Sequence, residues 1–178
     1  MAEPRPFAPA KLVCGIISSE NIIFEKVEEE LVAVYGPADL KSLCFPFDLT
    51  NYYEGQMGKN LRRRFLSFEN LVAPERLSAL KLETNALEEK LREQLDSSRR
   101  VANIDPGILT ATSLIMATTK DFSHRIPLAH GIYAHLELLF SKTGVRLLSW
   151  TYPDFQQEGY QKFFLEARRI YLRQLRTL

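Results

Sequence analysis

The feature that most constrains the fold is a strand-type run that leads directly into a helix-type run. Residues 11–18 (KLVCGIIS) are rich in residues that favour strands. Apolar residues then recur at helical spacing from Phe24 to Val34, and Gly36-Pro37 ends this pattern. The two apolar surfaces predict a helix packed on a face of its own sheet, because both have to be buried.

The same order returns further along the chain. A strand candidate at 62–72 (RRRFLSFENLV) precedes a long leucine-striped helix that starts near Glu75, and 99–109 (RRVANIDPGIL) follows as a strand. Apolar runs flanking residues 141–144 (SKTG) predict a hairpin, and a last amphipathic helix runs over 156–176. These patterns predict an α+β fold: a ferredoxin-like α/β sandwich with a mainly antiparallel sheet, extended by the C-terminal hairpin, with helices mostly on one face.

Length and composition favour one domain. The chain has 178 residues, of which 46% are hydrophobic, enough to bury one sizeable core. The start, MAEPRPFAPA, is proline-rich and polar, so we expect a disordered lead-in at 1–10 and a single α+β domain at 11–178. Cys14 and Cys44 form no CxxC pair, and no apolar run is long enough to span a bilayer. We therefore expect a cytoplasmic protein without a membrane partner.

The charges are balanced, with 23 Lys and Arg against 22 Asp and Glu and a net charge of +1. The whole molecule therefore has no strong attraction for nucleic acid, and any anion site must come from local clustering. The sequence contains no GxxxxGK[ST] phosphate loop, GxGxxG fingerprint, HExxH motif, nucleophile elbow or cysteine-rich zinc pattern. These absences disfavour the well-marked nucleotide, zinc and hydrolase families.

The stretch RRVANIDPGIL carries the first candidate site residues. In a regular strand Asn103 and Asp105 share one face and Arg100 lies on the other, so the three meet only at a bulge or at the end of the strand. Pro106 predicts a short helical turn with Asp105 as its cap. Residues 108–113 fit either a helix or a strand.

Cations cluster after the next strand candidate, in the segment TTKDFSHRI. Lys120, His124 and Arg125 lie there within six positions, and Lys and Arg at a strand end suit a phosphate or a carboxylate. In the triplet 62–64 the arginines alternate between faces, so at least one meets the inner layer or the end of the sheet, and Arg63 joins the candidate anion site. An ordinary solvated surface is the alternative for these residues.

The hairpin strand predicts a polar sheet face. Pairing of Ser141 with Val145 puts Tyr133, His135 and Glu137 together on the face opposite the core. A one-residue change of register would instead place His135 beside the tryptophan. His and Glu two positions apart suit proton transfer or, with a third ligand, a metal, whereas a solvated outer face is the alternative.

Four segments, in this order, resemble a known family: SFENLVAPERLSALKLETNALE, RRVANIDPGIL, ATTKDFSHRIPLAHGIY and WTYPDF. They are similar to a prokaryotic family filed as a domain of unknown function, over nearly the whole chain after the proline-rich start. Members often carry the label "GTP-binding protein", which establishes no activity. The resemblance implies that the residues characteristic of the family are Glu69, Lys81, Thr84, Asn85, Glu88, Arg100, Asn103, Asp105, Pro106, Gly107, Lys120, His124, Arg125, Trp150, Tyr152, Pro153 and Asp154.

Two features of the sequence bear on what this resemblance implies. The resemblance implies an acidic residue at the position of His135, which puts a catalytic role for this histidine in doubt. The GTP label gains no support, because the chain has no glycine loop ending in Lys-Ser/Thr. In TTKD, Asp121 directly follows Lys120, unlike the base-reading Asn/Thr-Lys-x-Asp. Nucleotide binding by another architecture stays open.

The sequence therefore predicts a site for a small phosphorylated or nucleotide-like anion, with Mg²⁺ as a candidate cofactor. The predicted anion-binding residues are Arg63, Arg100, Lys120 and Arg125. The predicted acid–base residues are His124, the preferred proton carrier, Asp105 and Glu69. The candidate Mg²⁺ ligands are Asp105 and Asp154. Polar support is assigned to Lys81, Asn85, Glu88, Asn103, Tyr133, His135, Glu137 and Tyr152.

The rival hypothesis is a non-enzymatic module that binds a protein or RNA partner through its last helix. That helix carries an outward basic stripe formed by Lys162, Arg169, Arg173 and Arg176. A short basic stripe of this kind contacts a nucleic-acid backbone in some proteins and is solvated surface in others.

Overall fold

A computed structural model describes residues 3–177 of the chain. The strands are β1 (Ala10–Ser18), β2 (Ala38–Lys41), β3 (Phe45–Pro46), β4 (Arg62–Val72), β5 (Asn103–Leu109), β6 (Ser113–Thr118), β7 (Ile126–Pro127), β8 (Tyr133–Phe140) and β9 (Val145–Arg146). The α-helices are α1 (Asn21–Tyr35), α2 (Glu54–Met57), α3 (Leu77–Gln94) and α4 (Glu158–Gln174). Two 3₁₀ turns lie at Pro74–Arg76 and Pro153–Gln156. The α+β prediction is thereby confirmed.

The strands form one sheet in the order β2-β4-β1-β5-β6-β8-β7, with β3 added to β4 and β9 to β8. The pairings within residues 3–177 are antiparallel, as predicted. β1 is central and fully buried, which explains its continuous run of apolar residues. Its Gly15 lies opposite Phe65 of β4 and Asp105 of β5.

Helices cover both faces of the sheet. α1 and α3 pack on one face, where Leu12, Cys14 and Ile16 of β1 meet the apolar stripes of both helices. α4 packs on the opposite face, because its aromatic residues, among them Phe164, surround Phe65 of β4. The prediction that the helices lie mostly on one face therefore describes α1 and α3 but not α4.

The prediction of a helical turn at Pro106 is wrong, because the strand runs through it. Pro106 lies opposite Cys14 of β1, and pairing with β6 begins at the next residue, Gly107. The proline thus lies beyond the end of the second hydrogen-bond ladder, where a missing N–H is tolerated. Residues 108–109 complete β5, and the turn before β6 is closed by a bond from Thr110 N–H to the Ser113 carbonyl (2.8 Å).

The C-terminal hairpin is present but differs by one residue from the predicted register. Phe140, not Ser141, lies opposite Val145, because Ser141 belongs to the turn and donates its N–H to the Gly144 carbonyl (2.8 Å). The second strand ends at Arg146, and the chain then leaves the sheet.

The ends of the chain and the remaining helices complete the description. Residues 3–9 carry no helix or strand, and residues 1–2 and 178 of the predicted lead-in and domain lie outside the described residues. Cys14 and Cys44 are free thiols, and burial raises the pKa of Cys14. Across residues 3–177, each helix is too short or too polar to cross a membrane.

Candidate functional site

A cavity of about 790 Å³ opens where the starts of β4 and β5 approach the end of β6, and α3 contributes Lys81, Asn85 and Glu88 to its wall. The pairing of strands explains this convergence. Ile17 of β1 lies opposite both Arg63 and Asn103, so these side chains share one face. The predicted site residues that line the cavity are Arg63, Lys81, Asn85, Glu88, Arg100, Asn103, Asp105, Lys120, His135, Glu137, Tyr152 and Asp154.

Asp105 is the centre of the first charged network in the cavity. Lys81 donates to its Oδ1 (3.1 Å), and Asn103 donates to its Oδ2 (2.6 Å). Arg63 reaches Oδ2 as well (3.3 Å) and also binds Asp154. Burial raises the pKa of Asp105, but Lys81 and Arg63 outweigh this effect and the net pKa is lowered. Asp105 is therefore an ionised partner of buried cations at neutral pH.

Arg100, Glu88 and Asn103 form a second network beside the first. Arg100 donates to Glu88 Oε2 (2.9 Å) and to Asn103 Oδ1 (2.6 Å). The other carboxylate oxygen of Glu88 accepts the N–H of Ile104 (2.6 Å), and burial raises the pKa of Glu88. Because β5 begins at Asn103, Arg100 precedes the strand and turns back to its face. The end of the strand, not a bulge, brings Arg100, Asn103 and Asp105 together.

Lys120 and Arg125 differ from the other cations of the site. Within residues 3–177 neither lies within 4.0 Å of a carboxylate oxygen. The Lys120 Nζ lies 3.6 Å from the centre of the Tyr52 ring. Arg125 donates to the Lys120 carbonyl (2.7 Å) and to the Tyr152 hydroxyl. Burial is the largest cause that lowers the pKa of Lys120; Asp105 acts in the opposite direction, but burial together with Arg125, Arg100 and Arg63 outweighs it.

A chain of titratable side chains connects the cavity to its rim. Glu137 is fully buried and accepts the Tyr152 N–H at Oε1 (2.7 Å). Its Oε2 lies 2.9 Å from His135 Nε2, although the two are not aligned as a hydrogen bond. Because Arg125 donates to His135 Nδ1 (3.2 Å), this nitrogen acts as an acceptor, and His124 Nε2 lies 3.3 Å from it. Burial, His135 and Arg125 lower the pKa of His124.

Stacked rings hold this rim in place. The His135 ring is stacked on Tyr152 with centroids 5.1 Å apart, and His124 is stacked on Trp150 at the same spacing. The Trp150 indole donates to the Leu136 carbonyl (2.9 Å). His135 and Tyr152 line the cavity, whereas His124 contacts His135 without lining it.

Four predicted site residues do not line the cavity: His124 and Arg125, which contact the lining residue His135, and Glu69 and Tyr133. Glu69 is exposed towards the opposite end of β4, where its carbonyl accepts a bond from Gln174 (2.8 Å). Tyr133 lies in the sheet opposite Thr118 and Pro127 and does not line the cavity. The sequence predicted an acid–base role for Glu69 and polar support for Tyr133.

The candidate Mg²⁺ ligands meet, but in an arrangement that does not suit a metal. Asp105 and Asp154 both bind Arg63, so a cation would have to displace the guanidinium group. Within the described part of the chain, no group of three or more His, Cys, Asp or Glu side chains is placed to hold a metal ion.

Aromatic residues of the loop at 49–61 line the cavity and were not assigned from the sequence. Tyr52 and Tyr53 pack edge to face with centroids 4.9 Å apart, and Tyr53 also contacts Phe47. Both tyrosines and Gln56 line the cavity. The signal that could have identified them is the pair of tyrosines within a polar, glycine-containing loop (NYYEG).

The fold and the cavity define an α+β protein with a charged, aromatic-lined pocket at one end of an antiparallel sheet. The family model described as "Domain of unknown function (DUF4416)" matches residues 8–171, and the chain belongs to this family. Searches of the curated proteins and of the solved structures give no match.

Proposed function

We propose that the cavity binds a small phosphorylated or nucleotide-like anion. The observation that carries this proposal is a pair of cations without a carboxylate partner among residues 3–177: Lys120, which lines the cavity, and Arg125, which binds the Lys120 carbonyl and the Tyr152 hydroxyl beside it. Burial and the nearby arginines make the charge on Lys120 unfavourable despite the attraction of Asp105, and a bound anion would offset this cost. Arg125 adds planar donors that suit a phosphate or carboxylate.

The lining of the cavity supports an anion with an organic part. Its volume lies in the range of about 300–1,000 Å³ that small-molecule sites occupy. Tyr52 and Tyr53 offer aromatic faces at its opening, and Phe65 and Phe155 lie deeper. A phosphorylated compound with a flat ring fits both kinds of wall, because charged groups and aromatic faces lie on the same cavity.

The site also contains groups suited to proton transfer. His135 and Glu137 are buried beside Arg125, and His124 continues this chain to the rim. We propose His124 and His135 as proton carriers for a bound phosphate, with Glu137 fixing the orientation of the His135 ring. Binding without a reaction uses the same cations.

We also propose a ferredoxin-like core for the fold and a cytoplasmic location for the protein. The order β2-β4-β1-β5, with α1 and α3 on one face, supports a ferredoxin-like unit that β6 to β9 extend. A cytoplasmic location agrees with two free thiols, one of them fully buried.

Isothermal titration calorimetry of the full chain with nucleoside phosphates, with and without Mg²⁺, tests the proposal. We expect saturable binding that weakens about tenfold to hundredfold in Lys120→Gln and in Arg125→Gln, since each removes a charged donor. Lys142→Gln is the matched control, because Lys142 is an exposed lysine in the hairpin turn. An absence of binding at millimolar concentrations, or an equal loss in the control, contradicts the proposal.

The rival hypothesis of a protein- or RNA-binding helix gains no comparable support. Arg169 is paired with Glu166 (2.7 Å) and Lys162 with Glu158 (2.7 Å), so part of the basic stripe is neutralised on its own helix.

A further inference from the structure

We propose that the ligand of this cavity is a phosphate monoester with a flat organic part, such as a nucleoside monophosphate, and not a nucleoside triphosphate. This inference rests on the proposed function and names its ligand class. Three observations carry it: the balance of charges around the cavity, the engagement of its carboxylates, and the placement of its aromatic rings.

The charges of the cavity are almost balanced before a ligand binds. Four cations line it, Arg63, Lys81, Arg100 and Lys120, and a fifth, Arg125, contacts the lining residues His135 and Tyr152. Four carboxylates face them: Asp105, Asp154, Glu88 and Glu137. The first three cations are matched within salt bridges by Asp105, Asp154 and Glu88. The net excess is one positive charge, because His135 Nδ1 accepts from Arg125 and therefore carries no proton.

This small excess fits a phosphate monoester. A monoester carries about 1.5 to 2 negative charges at neutral pH. Lys120 and Arg125 supply two unmatched cations, and His135 is in contact with Arg125. A triphosphate adds two more phosphate groups, whose charge would face Asp105, Asp154 and Glu88 without further cations to neutralise it.

A triphosphate usually overcomes such repulsion with Mg²⁺ held between carboxylates and phosphates. Here Asp105 and Asp154 already bind Arg63, and Asp105 also accepts from Lys81. Recruitment of a metal would leave the buried Arg63 without its partners, which is strongly unfavourable for a buried charge. The cavity is thus better suited to neutralise phosphate directly with side chains.

The aromatic residues point to a flat group next to the phosphate. The Tyr52 ring already lies against the Lys120 ammonium at 3.6 Å, so a phosphate on Lys120 comes close to this ring. The centre of the Tyr53 ring lies 5.3 Å from the same nitrogen. Planar rings stack on such faces with little dependence on their identity.

Titration of the full-length chain with four compounds tests the inference: inorganic phosphate, a nucleoside, its monophosphate, and its triphosphate with Mg²⁺. We expect the monophosphate to bind at least about tenfold more tightly than each of the other three. If inorganic phosphate binds as tightly as the monophosphate, the inference that the ligand has a flat organic part is wrong. A triphosphate that binds equally or more tightly, and still depends on Lys120, overturns the inference but leaves the proposed function intact. If none of the compounds binds, both fail.

A matched pair of variants tests the charge argument itself. Thr119 is exposed and lines the cavity just after β6, whereas Thr112 is exposed just before the same strand. We expect Thr119→Lys to shrink the preference for the monophosphate over the triphosphate by about threefold, because it adds a cation at the site. Thr112→Lys should leave this preference unchanged. Equal shifts in both variants, or no shift in Thr119→Lys, overturn the charge argument.

Discussion

Two lysines on the same face of the sheet, Lys11 and Lys120, have opposite surroundings. Lys11 is fully buried in β1, and its ammonium binds Asp39, the Phe68 carbonyl (2.8 Å) and Gln174 (2.9 Å). Its three donors are therefore all used. Lys120 is half-buried in a loop and faces tyrosine rings, with no carboxylate in salt-bridge range among residues 3–177. The first arrangement is closed and holds the protein together, and the second is open to a ligand.

The cluster formed by Lys11, Asp39 and Gln174 joins three elements of the fold. Asp39 of β2 also accepts the hydroxyl of Ser67 on β4 (2.6 Å), and Gln174 ends α4. Lys11 thus connects the central strand to the edge of the sheet and to the last helix. A ligand would have to break these bonds to enter, whereas Lys120 offers its charge without such a cost.

The largest expected effect is loss of stability in Lys11→Met. Removal of one partner of a buried ion pair costs about 3–5 kcal/mol, because the remaining charge stays poorly solvated. We expect the urea midpoint to fall accordingly, while ligand affinity of the folded protein is unchanged. Lys90→Met is the control: it breaks an exposed pair with Glu30 and should cost at most about 1 kcal/mol. Equal losses in the two variants would contradict the closed character of the Lys11 cluster.

Asp105→Asn should have the next largest effect, since it weakens the network that keeps Arg63 and Lys81 matched. We expect a loss of about 2 kcal/mol at pH 7, the scale of a charged hydrogen bond. The pKa of Asp105 is lowered by folding, so its contribution is present above the unfolded pKa and is lost as the pH falls through the folded pKa. The difference between wild type and variant should therefore begin to shrink as the pH falls below the ordinary Asp pKa of about 3.9, and disappear below the folded pKa. Thermal unfolding at pH 7 and pH 3 measures this, and Asp121→Asn, at an exposed carboxylate, should show no such convergence.

Local periodicity was sufficient to predict part of this site. The two-residue period of a strand correctly placed Asn103 and Asp105 on one face, and it gave the condition under which Arg100 could join them. The strand-end cations were likewise predicted from the segment around Lys120, because a turn after a buried strand exposes its side chains at the edge of the sheet.

The rest depended on long-range packing, which a pattern of residue types does not encode. Tyr52 reaches Lys120 only because its loop folds over the cavity. The helical turn at Pro106 was wrong because a proline can lie in a strand where a neighbouring ladder has ended. Glu69 was separated from the site because β4 is long, and its two ends serve different neighbours. The hairpin register depended on one serine that joined the turn.

A smaller expected effect is the pH dependence of anion binding at Lys120. Because the pKa of Lys120 is lowered, its charge is lost at a lower pH than for an ordinary lysine, and anion affinity should fall with it as the pH rises. A bound anion favours the charged form, so binding at about pH 9 should take up protons. Calorimetry in two buffers with different ionisation enthalpies measures this uptake. Lys120→Arg should bind with less uptake, since arginine stays protonated; an identical uptake in this variant would assign the proton to another group.

The smallest expected effect concerns His124 at the open rim. Burial, His135 and Arg125 lower its pKa, so in the window below the ordinary value of about 6.5 the unfolded state binds more protons than the folded state. Stability therefore rises with pH across this window and is lost as the pH drops, and His124→Asn should remove that part of the loss. Urea unfolding at pH 8 and pH 5.5 should show a smaller loss in the variant than in the wild type. His130→Asn is the control, because His130 is an exposed histidine whose left-handed backbone (φ 56) accepts asparagine. A smaller loss in the wild type than in His124→Asn would contradict this prediction. It would mean that protonation of His124 stabilises the fold, so that the surroundings of His124 attract a cation and do not suit an anion.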